Sequence, residues 1–364
     1  MDAPRAYEGT LAVKNAKLFG IEYLADGVKL VRDGEGNELL LAPRGASVPA
    51  AYRGKRVVRT PIERAFFMST TYIGLLLTLE NDWVLDSVAA VITEEGDWTI
   101  PAIVERFKRG RIRHIPWNMR TGVDIEALAA LRPDMVFSSA GYESGAKLFP
   151  KLDELGIDCM EVSEYLEESN IAGMEWLKFF AAFYNLDEQA DAVYEKKCAR
   201  LLELAGLAAE IPEDERPLVA LGHVFRGNVY VQGGGSTAVQ ELERAGCRYF
   251  LKDLKGNVNV QINMEEFFNK AKDADVLIYT AMNSFLPDKR ALAEDIPLIA
   301  EFKAFKNDAI YVPSKGYYMN NGALDVKFED VFSMFHPGLL PDRELTFYTA
   351  LPDDASGGAR AGGG

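Results

Sequence analysis

The stretch Val123-Asp124-Ile125-Glu126-Ala127-Leu128-Ala129-Ala130-Leu131-Arg132-Pro133-Asp134-Met135-Val136-Phe137 decides the fold class. It begins a helix at Asp124-Ile125 and ends it at Leu131-Arg132-Pro133-Asp134. A short apolar strand comes next. The same grammar recurs where Asn263-Met264-Glu265-Glu266 opens a helix that leads through Ala271-Lys272-Asp273-Ala274-Asp275 into the strand Val276-Leu277-Ile278-Tyr279. The match is an internal repeat or two ordinary α/β units, and its length does not separate the two readings.

Upstream, Ala65-Phe66-Phe67-Met68 is a buried run followed by Ser69-Thr70-Thr71 and a helix through Glu80. Val88-Ala89-Ala90-Val91-Ile92 is a second run. A helix over residues 147–155 closes at Gly156 before a strand at 157–162. After residue 215 come a strand at 218–221, a helix from Thr237 that stops at Gly246, and a strand at 310–312. Short apolar strands alternating with helices mean βα units around parallel sheets. Between the two α/β regions, residues 171–184 form one helix with Asn185 as its stop. Asp187 then opens another, whose Ala190, Tyr194, Cys198, Leu201, Ala205 and Ala208 share a face. That rod of roughly 33 Å either joins two lobes or packs on the first sheet. Residues 16–42 read as a β-hairpin turning at Asp33-Gly34-Glu35-Gly36-Asn37. The resulting division is an extension at 1–54, a lobe at 55–186, a helix at 187–210, a second lobe at 211–350 and a disordered tail at 351–364.

Composition narrows the functional classes. With 364 residues, two domains are expected. The 40 basic and 55 acidic residues leave a net charge of −15, which argues against a nucleic-acid partner. The 3 Cys include no CxxC pair, so neither a disulfide framework nor a thiolate zinc site is expected. No apolar run reaches the ~20 residues of a membrane span. Met1-Asp2-Ala3-Pro4 opens no signal peptide, which fits a cytoplasmic protein or a mature secreted domain behind a new start Met.

His114 and His223 each lie near a strand end, where open α/β sheets bind ligands. His336 sits in a Phe335-His336-Pro337-Gly338 turn and reads as structural. Gly233-Gly234-Gly235-Ser236-Thr237 precedes a helix but matches neither phosphate-binding fingerprint. Glu94-Glu95 and Glu167-Glu168 read as solvated charges. No catalytic triad or paired-carboxylate motif stands out, so nothing in these residues asks for an enzyme or excludes one. The strand-end loops carry Trp98, Trp117, Asn118, Arg120, Tyr142, Tyr165, Phe225, Arg226, Tyr230, Tyr317 and Tyr318. Such aromatics are costly to expose unless they bind something, and Arg120 and Arg226 suit an anionic or carbonyl-rich ligand.

Several stretches together resemble the helical-backbone class of ABC-importer substrate-binding proteins, which take up iron-siderophores, haem and cobalamin. Arg64-Ala65-Phe66-Phe67-Met68-Ser69-Thr70-Thr71 resembles the family's first strand and pocket loop. The opening stretch from Asp124 to Val136 resembles its helix-to-strand signature, and Leu152-Asp153-Glu154-Leu155-Gly156-Ile157-Asp158 a further one. Glu175-Trp176-Leu177-Lys178-Phe179 is similar to the interlobe region. Gly227-Asn228-Val229-Tyr230-Val231-Gln232-Gly233-Gly234 is similar to the second pocket loop, though the family usually has Trp or Phe near Val229. Phe335-His336-Pro337-Gly338-Leu339-Leu340-Pro341-Asp342 is similar to the ending.

The resemblance implies two Rossmann-like lobes with parallel sheets, bridged by one long helix, with a ligand cleft between them. It implies an extracytoplasmic monomer, without catalysis or cofactor, that delivers a metal chelate to a membrane permease. A ferric siderophore is the first expectation, and haem or a corrinoid the near alternative. The ligand residues it implies are Thr70, Thr71, Tyr72, Trp98, Trp117, Asn118, Arg120, Tyr142, Tyr165, His223, Phe225, Arg226, Tyr230, Tyr317 and Tyr318. Glu143 or Glu154 and Glu241 or Glu243 would dock the permease. Membrane attachment would come through the permease or a lost lipid anchor. Two other classes compete: a two-lobed nucleotide-sugar transferase using the 233–237 loop, and a free-metal binder using His114 and His223.

Overall fold

The computed structural model describes residues 9–118, 120–139, 145–280 and 286–353. The chain divides into two compact units, residues 1–198 with 318–324, and residues 199–317 with 325–364. The helix Asp187–Ala209 contains the boundary between them.

The first unit is organised around five parallel strands in the order Cys159–Val162, Met135–Ser139, Ala65–Phe67, Val88–Val91 and Arg113–His114. In chain order, the first of these strands, Ala65–Phe67, lies at the centre. The next two run to one side of it and the last two to the other. The topology therefore reverses between Ala65–Phe67 and Met135–Ser139, and the carboxyl ends of those strands form the crevice where open α/β sheets bind ligands. One face is covered by the helix Asn170–Ala182. Phe179, Phe180 and Phe183 pack on Phe137, with ring centroids 5.0–6.3 Å away, and Phe137 stacks on Phe67 at 4.9 Å. The predicted stop at Asn185 is real: its φ is +56°, a conformation that asparagine tolerates, and its side chain accepts a hydrogen bond from Thr60.

The predicted hairpin, Lys29–Arg32 with Glu38–Pro43, is part of a four-stranded sheet that also contains Gly20–Tyr23 and Val57–Thr60. That sheet is tied into the first unit by a buried ion pair, Lys29 to Asp187 at 2.6 Å. The segment before it lies across two buried carboxylates. Glu175 accepts hydrogen bonds from the N–H groups of Lys14, Asn15 and Ala16, and Glu167 from those of Lys17 and Leu18 and from the Trp176 indole. Glu167 is thus no solvated charge, contrary to the sequence reading. Its burial is tolerated because two backbone N–H groups and an indole solvate it in place of water. Glu168, Glu94 and Glu95 lie at the surface, as read.

The second unit has four parallel strands in the order Arg248–Tyr249, Leu218–Phe225, Val276–Tyr279 and Ile310–Pro313. Its topology reverses between Leu218–Phe225 and Val276–Tyr279. An antiparallel hairpin extends the first of these into Asn228–Gln232, turning at Arg226 and Gly227 with φ of +51° and +77°. Both residues then occupy left-handed backbone, as a tight two-residue hairpin turn requires.

The two copies of the opening motif fold alike. Asp124 caps Ile125–Leu131 by accepting from Ala127 N–H, and Asn263 caps Met264–Ala271 by accepting from Glu266 N–H. Asp134 accepts from the N–H groups of Glu63 and Arg64, and Asp275 from that of Leu218. Each aspartate therefore pins the start of a central parallel strand, Ala65–Phe67 in the first unit and Leu218–Phe225 in the second.

Candidate functional site

In the first unit the chain leaves Ala65–Phe67 straight into the helix Thr70–Leu77, capped by Ser69, whose hydroxyl accepts from Thr71 N–H. Thr70 and Thr71 are half-buried at the strand ends. Thr71 donates to Glu164 at 2.6 Å. Glu164 follows the edge strand Cys159–Val162, and burial pushes its carboxyl up to about 7. Nothing in the sequence distinguished Glu164 from its acidic neighbours; the missed signal was its position just after a strand. The segment Tyr318–Leu324 also belongs to this unit and packs on the Thr70–Leu77 helix, where a Cβ at Gly74 would collide with the Met319 carbonyl. A glycine inside an apolar helix was the available sign of that close approach.

Other first-unit candidates separate by burial. Tyr72 is fully buried, with its hydroxyl 3.3 Å from the carbonyls of Ser138 and Val162, and Trp98 is 5% exposed beside Phe107. These two are core residues, because rings following a short apolar run can complete the core beneath a loop. Asn118 is spent on its own turn, accepting from the N–H groups of Arg120 and Thr121. Trp117 is half-buried against the core. Arg120 and Tyr165 are exposed, and Arg120 makes no ion pair among the described residues. Tyr142 and Glu143 lie outside the described residues. Glu154 is exposed at the end of Gly145–Glu154. Tyr318, expected with Tyr317 in the second lobe, belongs to the first unit.

In the second unit His223 stands at the point where the topology reverses. Its Nδ1 is 2.7 Å from Thr280 Oγ1, and its ring stacks on Tyr230 at 5.5 Å. Burial lowers its pKa, so the imidazole is neutral at pH 7. Phe225 and Arg226 are exposed at the hairpin tip, the guanidinium 5.1 Å from the Phe225 ring. Arg226 makes no ion pair among the described residues. Tyr317 lies under Lys327, whose Nζ is 4.4 Å from its ring centroid. Glu243 pairs with Lys252, and Glu241 is largely buried, with its carboxyl raised by that burial.

The glycine loop is structural. The N–H groups of Gly233, Gly234, Gly235 and Ser236 are bonded to the carbonyls of Val258, Leu254, Gly256 and Gly233. A Cβ at Gly234 would collide with the Lys252 carbonyl. No N–H from Gly233 to Ser236 is left to cradle a diphosphate, which removes the feature on which the transferase reading depended. His336 is structural too, as read, with Nε2 3.0 Å from the Ala245 carbonyl. His114 is exposed on an edge strand of the first unit. No group of three or more His, Cys, Asp or Glu side chains that could hold a metal ion occurs among the described residues. No helix of the described residues is long and apolar enough to cross a membrane.

A family model described as periplasmic binding protein matches residues 70–315. An uncharacterised lipoprotein of Methanocaldococcus jannaschii is 29% identical over 88% of this chain and 77% of its own length. A second such lipoprotein is 24% identical over 93% and 87%. Among solved structures, a periplasmic haem-binding protein from Pseudomonas aeruginosa is similar with a TM-score of 0.60 and 16% identity, covering 80% of this chain and 98% of that one. A TroA-like periplasmic binding protein, FepB, from Veillonella parvula gives 0.59 and 15%, covering 80% and 95%.

Proposed function

The chain belongs to the periplasmic binding protein family, and from that premise we propose that it captures a ferric siderophore-type chelate outside the cytoplasm and hands it to an ABC importer's permease. Proteins of this family are solute-binding proteins rather than enzymes, and a family of this kind works outside the cytoplasm. The observation that carries the ligand class is the equipment of the two strand-end regions. Each strand-end region offers hydroxyl groups, aromatics and an arginine that makes no ion pair among the described residues: Ser69, Thr71, Tyr165 and Arg120 in the first unit, Thr280, Phe225, Tyr230 and Arg226 in the second. Aromatic faces and cations suit an anionic, ring-bearing chelate, in a chain that otherwise carries net negative charge. Glu154, exposed at the end of its helix, is a first-unit carboxylate suited to meet the permease.

Haem is the second reading. It is favoured by His223, a neutral imidazole held by Thr280 whose Nε2 has no partner among the described residues, and by the haem-binding proteins of similar fold. Thermal melting of the full chain with ferric enterobactin, ferrichrome, haemin and cyanocobalamin separates the readings. A ligand at a hundred times its Kd stabilises by about 2.7 kcal/mol, which raises Tm by a few degrees. A shift with a siderophore complex supports the first reading and a shift with haemin the second. No shift with any of the four contradicts both.

A further inference from the structure

Three side chains at the strand ends of the first unit form a chain of hydrogen bonds. Thr71 Oγ1 lies 2.8 Å from Ser69 Oγ and 2.6 Å from Glu164 Oε1. Ser69 and Thr71 come after the central strand and Glu164 after the edge strand, so the chain connects the two strands that flank Met135–Ser139. Glu164 is 5% exposed, and its other oxygen, Oε2, is buried without a hydrogen-bond partner among the described residues. So is Ser138 Oγ, on the strand between. Two buried oxygens without partners among the described residues, one on Met135–Ser139 and one just past its neighbour Cys159–Val162, need an explanation, because each costs stability.

A run of hydroxyls takes its direction from the proton at its end, since each hydroxyl can donate one hydrogen and accept others. With Glu164 ionised, Ser69 donates to Thr71 and Thr71 to Oε1, and Ser69 is left with only lone pairs to offer. With a proton on Oε1, Glu164 donates to Thr71 and Thr71 to Ser69, so the Ser69 hydrogen is released to a further group. We propose that Glu164 is a positioning residue that sets, through Thr71, whether Ser69 offers a solute a hydrogen or a lone pair, so that an anionic, oxygen-rich solute is bound together with one proton. The inference rests on the solute-binding reading above.

Burial is what holds the carboxyl near 7, offset in part by Thr71 and by the N–H groups of Glu164 and Tyr165. No charged side chain contributes to that shift. The helices packed against Glu164 are Thr70–Leu77 and Asn170–Ala182, the latter so close that a Cβ at Gly173 would stand 2.9 Å from the Glu164 carbonyl. Their titratable groups and those beside Glu164 are engaged elsewhere or exposed. Tyr72 bonds to carbonyls, Glu167 and Glu175 to the 14–18 segment, and Lys178 to Glu175 and Asp191, while Tyr165 is exposed.

The test is the affinity of the full chain for ferric enterobactin and for haemin, both anionic, from pH 5.5 to 8.5. Proton uptake is read by calorimetry in buffers of different ionisation enthalpy. Affinity for the bound probe should fall about ten-fold from pH 6 to 8, as expected of a group titrating at about 7, with one proton taken up near neutrality. Glu164→Gln, permanently neutral, should flatten the profile and abolish the uptake; Thr71→Val, which cuts the chain but leaves the carboxyl, should flatten the affinity profile as well. Binding with a flat wild-type profile, or a profile unchanged in Glu164→Gln, overturns the inference and leaves the solute-binding reading standing. Binding of neither probe overturns the inference, and it removes the solute-binding reading as well only when ferrichrome and cyanocobalamin also fail to bind.

Discussion

In the first unit the chain turns from strand Ala65–Phe67 directly into a capped helix. In the second, the equivalent strand Leu218–Phe225 runs on into a hairpin. The supports of the two strands are nearly the same: an Asx-capped helix and an aspartate that receives the backbone N–H at the start of the strand. Past the strand ends the units differ in chemistry as well as in shape. One crevice carries a buried carboxyl reached through hydroxyls, and the other a neutral imidazole stacked on a tyrosine. The scaffold is repeated because it meets the same backbone requirements twice. The strand-end side chains are not repeated, because the backbone requirements of the scaffold do not reach past the strand ends.

The largest difference between the units is the N-terminal sheet, which only the first possesses. Lys29→Met should strand the Asp187 carboxylate in the core and cost about 3–5 kcal/mol. Hydrogen exchange should then show lost protection in the first unit and little change in the second; equal losses in both would break the comparison. Next come the paired aspartates. Asp134→Ala and Asp275→Ala each remove charge-assisted bonds to strand N–H groups, and each should cost about 1–3 kcal/mol in urea unfolding. Markedly unequal losses would mean that the repeat is one of sequence and not of energetics.

A smaller effect of opposite sign is expected at Lys327, which burial lowers to about 7 from 10.5. Between those values the unfolded chain holds a proton that the native lysine lacks, so stability rises with pH across that window and the cost is complete below it. Lys327→Met should therefore stabilise the second unit by about 1–2 kcal/mol at pH 7, the contacts with Tyr317 and Phe347 offsetting part of the gain. It should also remove the slope between pH 7 and 10. A destabilised variant would mean that the aromatic contacts outweigh the desolvation. Smallest of all, Glu154→Ala should change stability by no more than about 0.5 kcal/mol while weakening transport by the reconstituted importer; unchanged transport would take Glu154 out of the docking surface.

The parts of the fold legible in the sequence were those governed by local rules. Helix starts at Asp124 and Asn263, stops at Gly156, Asn185 and Gly246, and short apolar strands all arise from the chain's immediate neighbourhood. Burial of charge could not be read in this way. Lys29 and Asp187 are 158 positions apart, and Glu175 and Glu167 look like surface residues until the 14–18 backbone covers them. The same blindness affected the site. Exposed Phe225, Arg226 and Tyr165 stand where loop chemistry suggested, but Tyr72 and Trp98 are core. Glu164 differs from a solvated glutamate only through tertiary packing.

The most direct measurement is an equilibrium titration of the full chain, followed by tryptophan fluorescence, with ferric enterobactin, ferrichrome, haemin and cyanocobalamin. Saturable one-to-one binding of one of them is expected, weakened about ten-fold or more, equivalent to ~1.4 kcal/mol, by Arg120→Ala in the first unit and by His223→Ala in the second. Absence of saturable binding by every probe, or binding that neither variant weakens, would contradict the proposal that strand-end residues of this chain take up a chelate.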